Sequence, residues 1–463
     1  MGTPVTILAN RGSRGPPVPE VELDELRAAV AAGTVDTVLL AIADMEGRLQ
    51  GKRVTASHFL DEVLEAGSEG CSYLLTVDVE METVSGYEMS SWEKGYGDFE
   101  MKPDLSTLRP VPWQEETVML MADCGWHDGS PVVASPRQIL RKQLERLEER
   151  GMIANAATEL EFIVFRNSYE DAWKRAYRDL EPSNYYNVDY SMLGTARVEP
   201  LIKRIRNGMA GAEMVVENSK GECNFGQHEV NIKYADALTT ADQHVIFKNG
   251  TKEIAAQEDC SITFMAKWDE REGSSCHIHL SLAGAEDGKN AFNADQAMFD
   301  HFLAGQLEYL REMTLFYAPQ INSYKRFAEG TFAPTSVTWG KDNRTCSLRL
   351  VGEGEGLRLE NRLPGADVNP YLAIAAMIAA GLKGIDDALP LPPACEGNAY
   401  TSDAERVPTN IYAARDLFRD GQLTNEAFGE EVVRHYVRRA EFEIETFESA
   451  VTDWERFRGF ERL

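Results

Sequence analysis

The 463-residue chain is poor in cysteine, with seven in all, and none of them stands in a CxxC pair or at zinc-ligand spacing. An odd, scattered set at positions 71, 124, 223, 260, 276, 346 and 395 argues against a disulfide framework and fits a reducing cytosol. Long apolar runs are missing too. The most apolar stretch, Tyr371 to Leu382, is about half of what a bilayer-crossing helix needs, and no signal-type apolar region stands near Met1, so a soluble cytoplasmic protein is expected, with no membrane partner. Positive charge is scarce. The 47 Lys and Arg residues against 75 Asp and Glu leave a formal net charge of −28, which argues against nucleic acid as a partner, because phosphate-backbone binding needs a positive field. Familiar signatures are lacking as well: no GxxxxGK[ST] loop, GxSxG elbow or HExxH helix occurs, and Gly352-Glu353-Gly354-Glu355-Gly356 lacks the third glycine of GxGxxG in register.

The chain is 43% hydrophobic and long enough for a large core and more than one domain. Residues 1–20, with Gly12-Ser13-Arg14-Gly15-Pro16-Pro17, read as a mobile extension. Alternation through Val38 to Ile42, a turn at Met45 to Arg48 and a return through Leu49 to Val54 predict a hairpin; a helix over His58–Ala66 and a strand around Tyr73–Val77 complete a small α+β unit. Pro103, Pro110 and Pro112 suggest a boundary near Trp113, giving units at 21–113 and 114–463. In the second unit Ser135 as N-cap, Pro136 at the first helical position and Gln138 completing a capping box open a helix that Gly151 closes. The last third is helix-rich, with Val432, Tyr436, Phe447, Val451 and Trp454 at helical spacing on a packing face.

The stretch Ala157 to Phe165 carries two carboxylates two residues apart in an otherwise apolar strand. Strand side chains alternate faces, so Glu159 and Glu161 point one way while Leu160, Phe162 and Val164 point into the core. Two uncompensated carboxylates buried side by side would cost several kcal/mol, so that face is wet, cross-paired or metal-bound. Three further segments repeat the pattern: Glu222 and Glu229 across a Gly226 turn, His277, His279 and Ser281 on one face, and Arg358, Glu360 and Arg362 on another. The fold expected is α+β, with a curved antiparallel sheet backed by helices and a polar concavity in front. Oxygen-rich ligation with a single imidazole suits Mg²⁺ or Mn²⁺, and the arginines at 326, 344, 349, 358 and 362 suit phosphate and carboxylate groups. Together they point to phosphoryl chemistry on or beside a carboxylate.

Six motifs in order, Glu159-Leu160-Glu161, Gly226-Gln227-His228-Glu229, His277-Ile278-His279-Leu280-Ser281, Asn322-Ser323-Tyr324-Lys325-Arg326, Asn343-Arg344, and Arg358-Leu359-Glu360-Asn361-Arg362 followed by Asn369-Pro370-Tyr371-Leu372, make the chain resemble glutamine synthetases of the bacterial class I type. The resemblance implies an N-terminal β-grasp domain, a larger catalytic domain, and a homododecamer whose active sites are shared between subunits. It implies ATP with Mg²⁺ or Mn²⁺, and phosphorylation of the glutamate γ-carboxylate followed by attack of an amine. By the same resemblance Glu161, Glu222 and Glu229 hold a first ion, and Glu159, His277 and Glu360 a second. Tyr234, His279, Ser281, Arg349 and Arg358 fall on the nucleotide side, Arg344 lies between nucleotide and acyl phosphate, and Gly273, Arg326 and Arg362 hold glutamate.

Departures from the family pattern bear on the amine. Phe332-Ala333-Pro334 stands where ammonia-using members have Glu-Ala-Pro, and Cys71 to Asp78 where they have a Phe-Asp-Gly-Ser-Ser loop. Glu272 replaces an Asn, Glu355 replaces a Lys, and Asn398-Ala399-Tyr400 does not preserve the surroundings of the adenylylated tyrosine. With Asp44 to Arg53 and Gly221-Glu222-Cys223-Asn224, the pattern is similar to that of the actinobacterial enzymes that glutamylate polyamines or ethanolamine. A polyamine acceptor is expected first and ethanolamine second, with Phe332 lining the amine's path and Glu222 or Glu329 as the base.

Overall fold

The computed structural model describes residues 19–463, so the extension expected over 1–20 lies outside the described residues except for its last two, which open a helix, Pro19–Ala31. Among the described residues the strands fall into two sheets. The first contains β1 (Thr37–Ala43), β2 (Leu49–Thr55), β3 (Ser68–Cys71), β4 (Asp98–Pro103), β5 (Arg109–Pro110) and β6 (Thr117–Gly125), in the order β2-β1-β6-β4-β3 with β5 beside β6. β1 and β2 form the expected antiparallel hairpin, and Asp44 fastens its turn by accepting from the backbone N–H groups of Glu46 and Arg48. Val38, Leu40 and Ile42 bury one face of β1 in a small core with Phe59, Phe99 and Leu120.

Two expectations for this region are corrected. The strand near Tyr73–Val77 is instead β3 at Ser68–Cys71, and Ser72–Leu75 winds into a 3-10 turn held by a buried hydroxyl pair, Ser72 with Ser90 at 2.6 Å. β6 lies beyond the boundary expected near Trp113, yet it pairs in parallel with β1, Thr37 opposite Thr117. A division after residue 113 would cut this sheet. Pro103 and Pro110 sit inside it, at a strand end and in the two-residue β5, the places where a residue without an N–H is tolerated.

The second sheet contains β7 (Met152–Phe165), β8 (Val216–Gly221), β9 (Gln227–Ile232), β10 (Ala235–Asp236), β11 (Ser261–Thr263), β12 (Cys276–Gly284), β13 (Trp339–Lys341), β14 (Leu348–Val351) and β15 (Arg358–Asn361). Its order is β13-β14-β15-β12-β7-β9-β8, with β10 and β11 also on β7. The pairing is antiparallel except for β13 with β14. Leu160, Phe162, Val164, Val230, Ile278, Leu280 and Leu359 form its buried rear face. Helices back it: α1 (Pro136–Glu148), α2 (Ala237–Gln257), and α3 (Pro370–Asp386), whose small apolar residues are buried along nearly its whole length.

Ser135 takes the N-cap position of α1 with Pro136 behind it, but its hydroxyl makes no capping bond; it lies against the Cys124 thiol, so no capping box with Gln138 forms. Two residues on, the fully buried Arg137 joins the two sheet systems. Its guanidinium donates to Asp242 of α2 at 3.0 Å, to Asp123 of β6 at 2.5 Å and to Asp104, just after β4, at 2.7 Å, while Tyr371 of α3 donates to Asp242 at 2.6 Å. At the far end, Val432 and Tyr436 of α4 (Glu430–Ser449) are core residues, as their spacing predicts. Phe447, Val451 and Trp454 are not: α4 stops at Ser449, and these side chains are exposed together with Phe457 and Phe460.

Candidate active site

The register of the second sheet assembles the site. Directly opposed residues in an antiparallel pair project from the same face. Glu161 of β7 opposes Glu229 of β9, and Glu229 opposes Lys220 of β8. Glu159 opposes His277 of β12, and His279 opposes Glu360 of β15, which opposes Arg349 of β14. The front of the sheet therefore carries acidic groups in its middle, an arginine flank at β14 and β15, and a lysine at the β8 edge. Glu222 follows β8 in a turn that doubles back at Gly226, where φ is +73° and a side chain would meet the Val164 carbonyl, so only glycine fits.

Two ligand-like groups result. Glu161, Glu222 and Glu229 place carboxylate oxygens within 4.8 Å of one another, and carboxylate oxygens of Glu159 and Glu360 and a ring nitrogen of His279 are gathered as closely. Burial, and then the neighbouring Glu229 charge, push the Glu161 carboxyl up; burial raises Glu229 as well, against the pull of Lys220. Burial works against Glu159 too, but hydrogen bonds from His277 and His279 outweigh it and hold that carboxyl well below the usual range. A crowded set of buried carboxylates is the environment that a hard, oxygen-seeking dication relieves, and the donor set fits Mg²⁺ or Mn²⁺.

Both imidazoles reach the second group, and their partners separate them. His279 Nδ1 accepts from Arg358 Nε at 3.2 Å; a guanidinium can only donate, so the ring proton sits on Nε2, pointing at Glu159 Oε1 2.9 Å away. His279 is thus a donor here. His277 turns Nδ1 toward Glu159 at 3.3 Å and Glu360 at 3.7 Å, and burial, then the charge of Arg362, lower its pKa to about 4. Held against Glu159 through Nδ1, the neutral ring keeps its lone pair on Nε2, which has no hydrogen-bond partner.

The acidic floor opens into a cavity of about 580 Å³ whose walls include Gly273, Glu272, Phe332, Arg344, Arg349 and Arg362. A second cavity of about 550 Å³ adjoins it, sharing Glu159, Asn218 and Asn231, and is lined by Tyr234, His279, Ser281, Glu355 and Arg358. Gly273 is needed where it stands, since a Cβ would lie 2.5 Å from the Ala266 carbonyl and 2.8 Å from the Arg326 side chain. Phe332 is 55% exposed at the rim and holds a left-handed backbone, φ +57°, rare for an aromatic residue and a mark of local strain.

Two expected site residues are elsewhere. Glu329 is 68% exposed, lies 3.8 Å from Arg406 and is not on the cavity wall. Arg326 is buried behind the wall, its terminal nitrogens given to Ser275 Oγ and to the carbonyls of Arg362 and Leu363. Conversely, Lys220, Asp189, Tyr190 and Gln227 line the acidic cavity and were not anticipated. Alternation alone places Lys220 on the Glu222 face, a usable signal; Asp189 and Tyr190 come from an irregular loop whose sequence carries none. Gln227 ties the floor together, donating to Glu161 Oε2 at 2.8 Å and to the Gly273 carbonyl at 3.0 Å.

Comparison with known proteins bears on this arrangement directly. The model of the glutamine synthetase catalytic domain matches residues 133–458. The chain is 61% identical to the gamma-glutamylethanolamide synthetase GlnA4 of Streptomyces coelicolor, over 96% of this chain and 97% of that protein. It is 38% identical to a glutamate–isopropylamine ligase of a Pseudomonas species, over 93% and 96%, and 32% identical to the glutamine synthetase of Thermus thermophilus, over 93% and 97%. Among solved structures, a GmaS chain in complex with ADP superimposes with a TM-score of 0.83 at 26% identity, covering 94% of this chain and 99% of that one. With the catalytic-domain match spanning both cavities and every strand of the acidic floor, the chain belongs to the glutamine synthetase family.

Proposed function

We propose that the protein is an ATP-dependent ligase that joins the γ-carboxylate of glutamate to ethanolamine through γ-glutamyl phosphate. The observation that carries this reading is the pair of three-ligand groups on the front of one sheet, beside two adjoining cavities, flanked by arginines and built on the strands that the family match covers. Of the two acceptors that the sequence suggests, ethanolamine is the one the relatives favour, since the GlnA4 relative is named for it and a second relative uses another small alkylamine.

In this reading Glu161, Glu222 and Glu229 hold one divalent ion and Glu159, His277 and Glu360 another. Bound there, such ions neutralise phosphate charge during phosphoryl transfer. The nucleotide base and ribose lie in the cavity of Tyr234, His279, Ser281 and Arg358. Glutamate lies against Gly273 and Arg362, with Arg326 fixing Ser275 and the Arg362 backbone from behind. Arg344 and Arg349 face the phosphoryl group and stabilise the charge that develops on its oxygens. An alkylammonium must lose a proton before it can attack, and Glu222 on the cavity wall takes it; Glu329, turned toward Arg406, does not. Phe332 brings an apolar ring where a carboxylate would favour ammonium, so methylene groups are preferred there.

The test is phosphate release from ATP in the presence of glutamate and Mg²⁺, across ammonium, ethanolamine, isopropylamine, putrescine and spermidine. Ethanolamine should support the fastest release. Turnover with ammonium and no alkylamine would make the chain a plain glutamine synthetase, and no release with any amine would leave a non-catalytic relative.

The same family reading includes a large homo-oligomer. It is supported by apolar side chains at the C-terminal end, Trp454, Phe457 and Phe460, each more than half exposed in the single chain. Light scattering at micromolar concentration should give a mass many times 51.7 kDa. A monomer would overturn the oligomer.

A further inference from the structure

Beyond the carboxylates assigned to the two ions, Asp189 and Glu272 also line the acidic cavity, so it favours cations. The arginines that balance these carboxylates stand at the β14–β15 flank, and the order of the sheet puts β12, β7 and β9 between that flank and β8. At the β8 edge, among the described residues that line the cavity, the balance is kept by one cation. The Lys220 ammonium pairs with Glu222, lies 3.9 Å from Glu229 Oε2 and 3.8 Å from Asp189 Oδ1, and sits 4.9 Å from the centroid of the Tyr190 ring. Its side chain is 21% exposed, so this charge is held within the wall and does not trail in solvent.

We infer that Lys220, paired with Asp189, selects the acceptor by its far end: the pair receives a hydroxyl and turns away a second positive charge. The inference rests on the ligase reading above. Glu222 itself belongs to this ion pair, so an amine bound at Glu222 places its next functional group beside Lys220 and Asp189. A hydroxyl there can donate to Asp189 and accept from Lys220 at once, which satisfies both. An ammonium can only donate, and it would have to sit beside the Lys220 charge, which is 21% exposed, where like charges repel more than in bulk water. A methyl leaves the pair desolvated with nothing in return, and a site built to hydrogen-bond discriminates against such an analogue. Selection against diamines is therefore a repulsive element set into a cavity whose general field would draw them in.

The experiment uses the full-length protein with ATP, glutamate and Mg²⁺, and reads kcat/KM for ethanolamine, n-propylamine and putrescine. Each conclusion rests on ratios within one protein, which partial misfolding or a general loss of activity does not move. The native chain should favour ethanolamine over both others. In Lys220→Met, which keeps the stem and removes the charge, the putrescine-to-ethanolamine ratio should rise roughly tenfold or more. Lys220→Arg, which keeps the charge, should leave that ratio low. An unchanged ratio in Lys220→Met, with alkylamines still turned over by the native chain, overturns the role of Lys220 and leaves the ligase reading standing. Absence of turnover with any alkylamine in the native chain brings down both.

Discussion

Glu360→Gln should lower amine-dependent phosphate release by a factor on the order of 10²–10³, the usual loss when one preorganised charged partner of a transition state is removed. Glu360 is fully buried. It accepts from Arg349 at 2.8 Å and from Arg362, and it faces the His277 ring. Burial favours its neutral form, but His277 and Arg362 prevail and hold its pKa below the ordinary value, so the group is a carboxylate at neutral pH. Glutamine keeps the shape and loses the charge, leaving two guanidinium groups without their common anion and the proposed second ion without a ligand. Circular dichroism and light scattering should show the fold and assembly intact. Activity retained to within a few-fold would mean that Glu360 is only a structural partner of the arginines.

Arg137→Ala should destabilise the protein by about 3–5 kcal/mol, the cost of removing one member of a buried ionic cluster. The guanidinium is shared by Asp104, Asp123 and Asp242, so its loss removes the buried cation common to three carboxylates on both sides of the contact between the first sheet and helix α2. Arg141 reaches Asp104 and Asp123 from the next turn, but its side chain is a third exposed, and Arg141→Ala should cost no more than about 1 kcal/mol. Urea unfolding followed by tryptophan fluorescence measures both. Equal shifts from the two substitutions would show that Arg137 carries no special share of the contact.

The face of each functional strand was legible from alternation alone. Glu159 with Glu161, His277 with His279, and Glu360 with Arg358 each needed only the two-residue period of a strand, and the buried partners Leu160, Phe162 and Ile278 confirm it. What alternation cannot contain is which strand lies beside which. The opposition of Glu161 to Glu229, and of Glu229 to Lys220, is a matter of long-range register, so the lysine in the acidic wall went unremarked although it stands two residues from Glu222. The same limit explains β6: its apolar run predicts a strand, but nothing local says that it completes the sheet begun by β1. Glu329 failed for another reason. Glu329 stands three residues before the Phe332 rim in sequence, but a loop that turns at Gly330, φ +78°, leaves its side chain exposed 3.8 Å from Arg406.

The order of strands in the second sheet also sets a timetable for a chain leaving the ribosome. β7 emerges well before its partners, and the contact of Glu159 with His277 closes a separation of 118 residues, the kind of non-local pairing that folds slowly. Once residue 284 is free, β7, β8, β9 and β12 can pair and bring Glu161, Glu222 and Glu229 together. Arg349, Glu360 and Arg362 are still unsynthesised at that stage, because β14 and β15 join only at the β12 edge. A nascent chain that pairs these strands at that stage has its acidic trio assembled and its arginines absent, with Lys220, among the described residues, as the one cation that these strands carry on the cavity side.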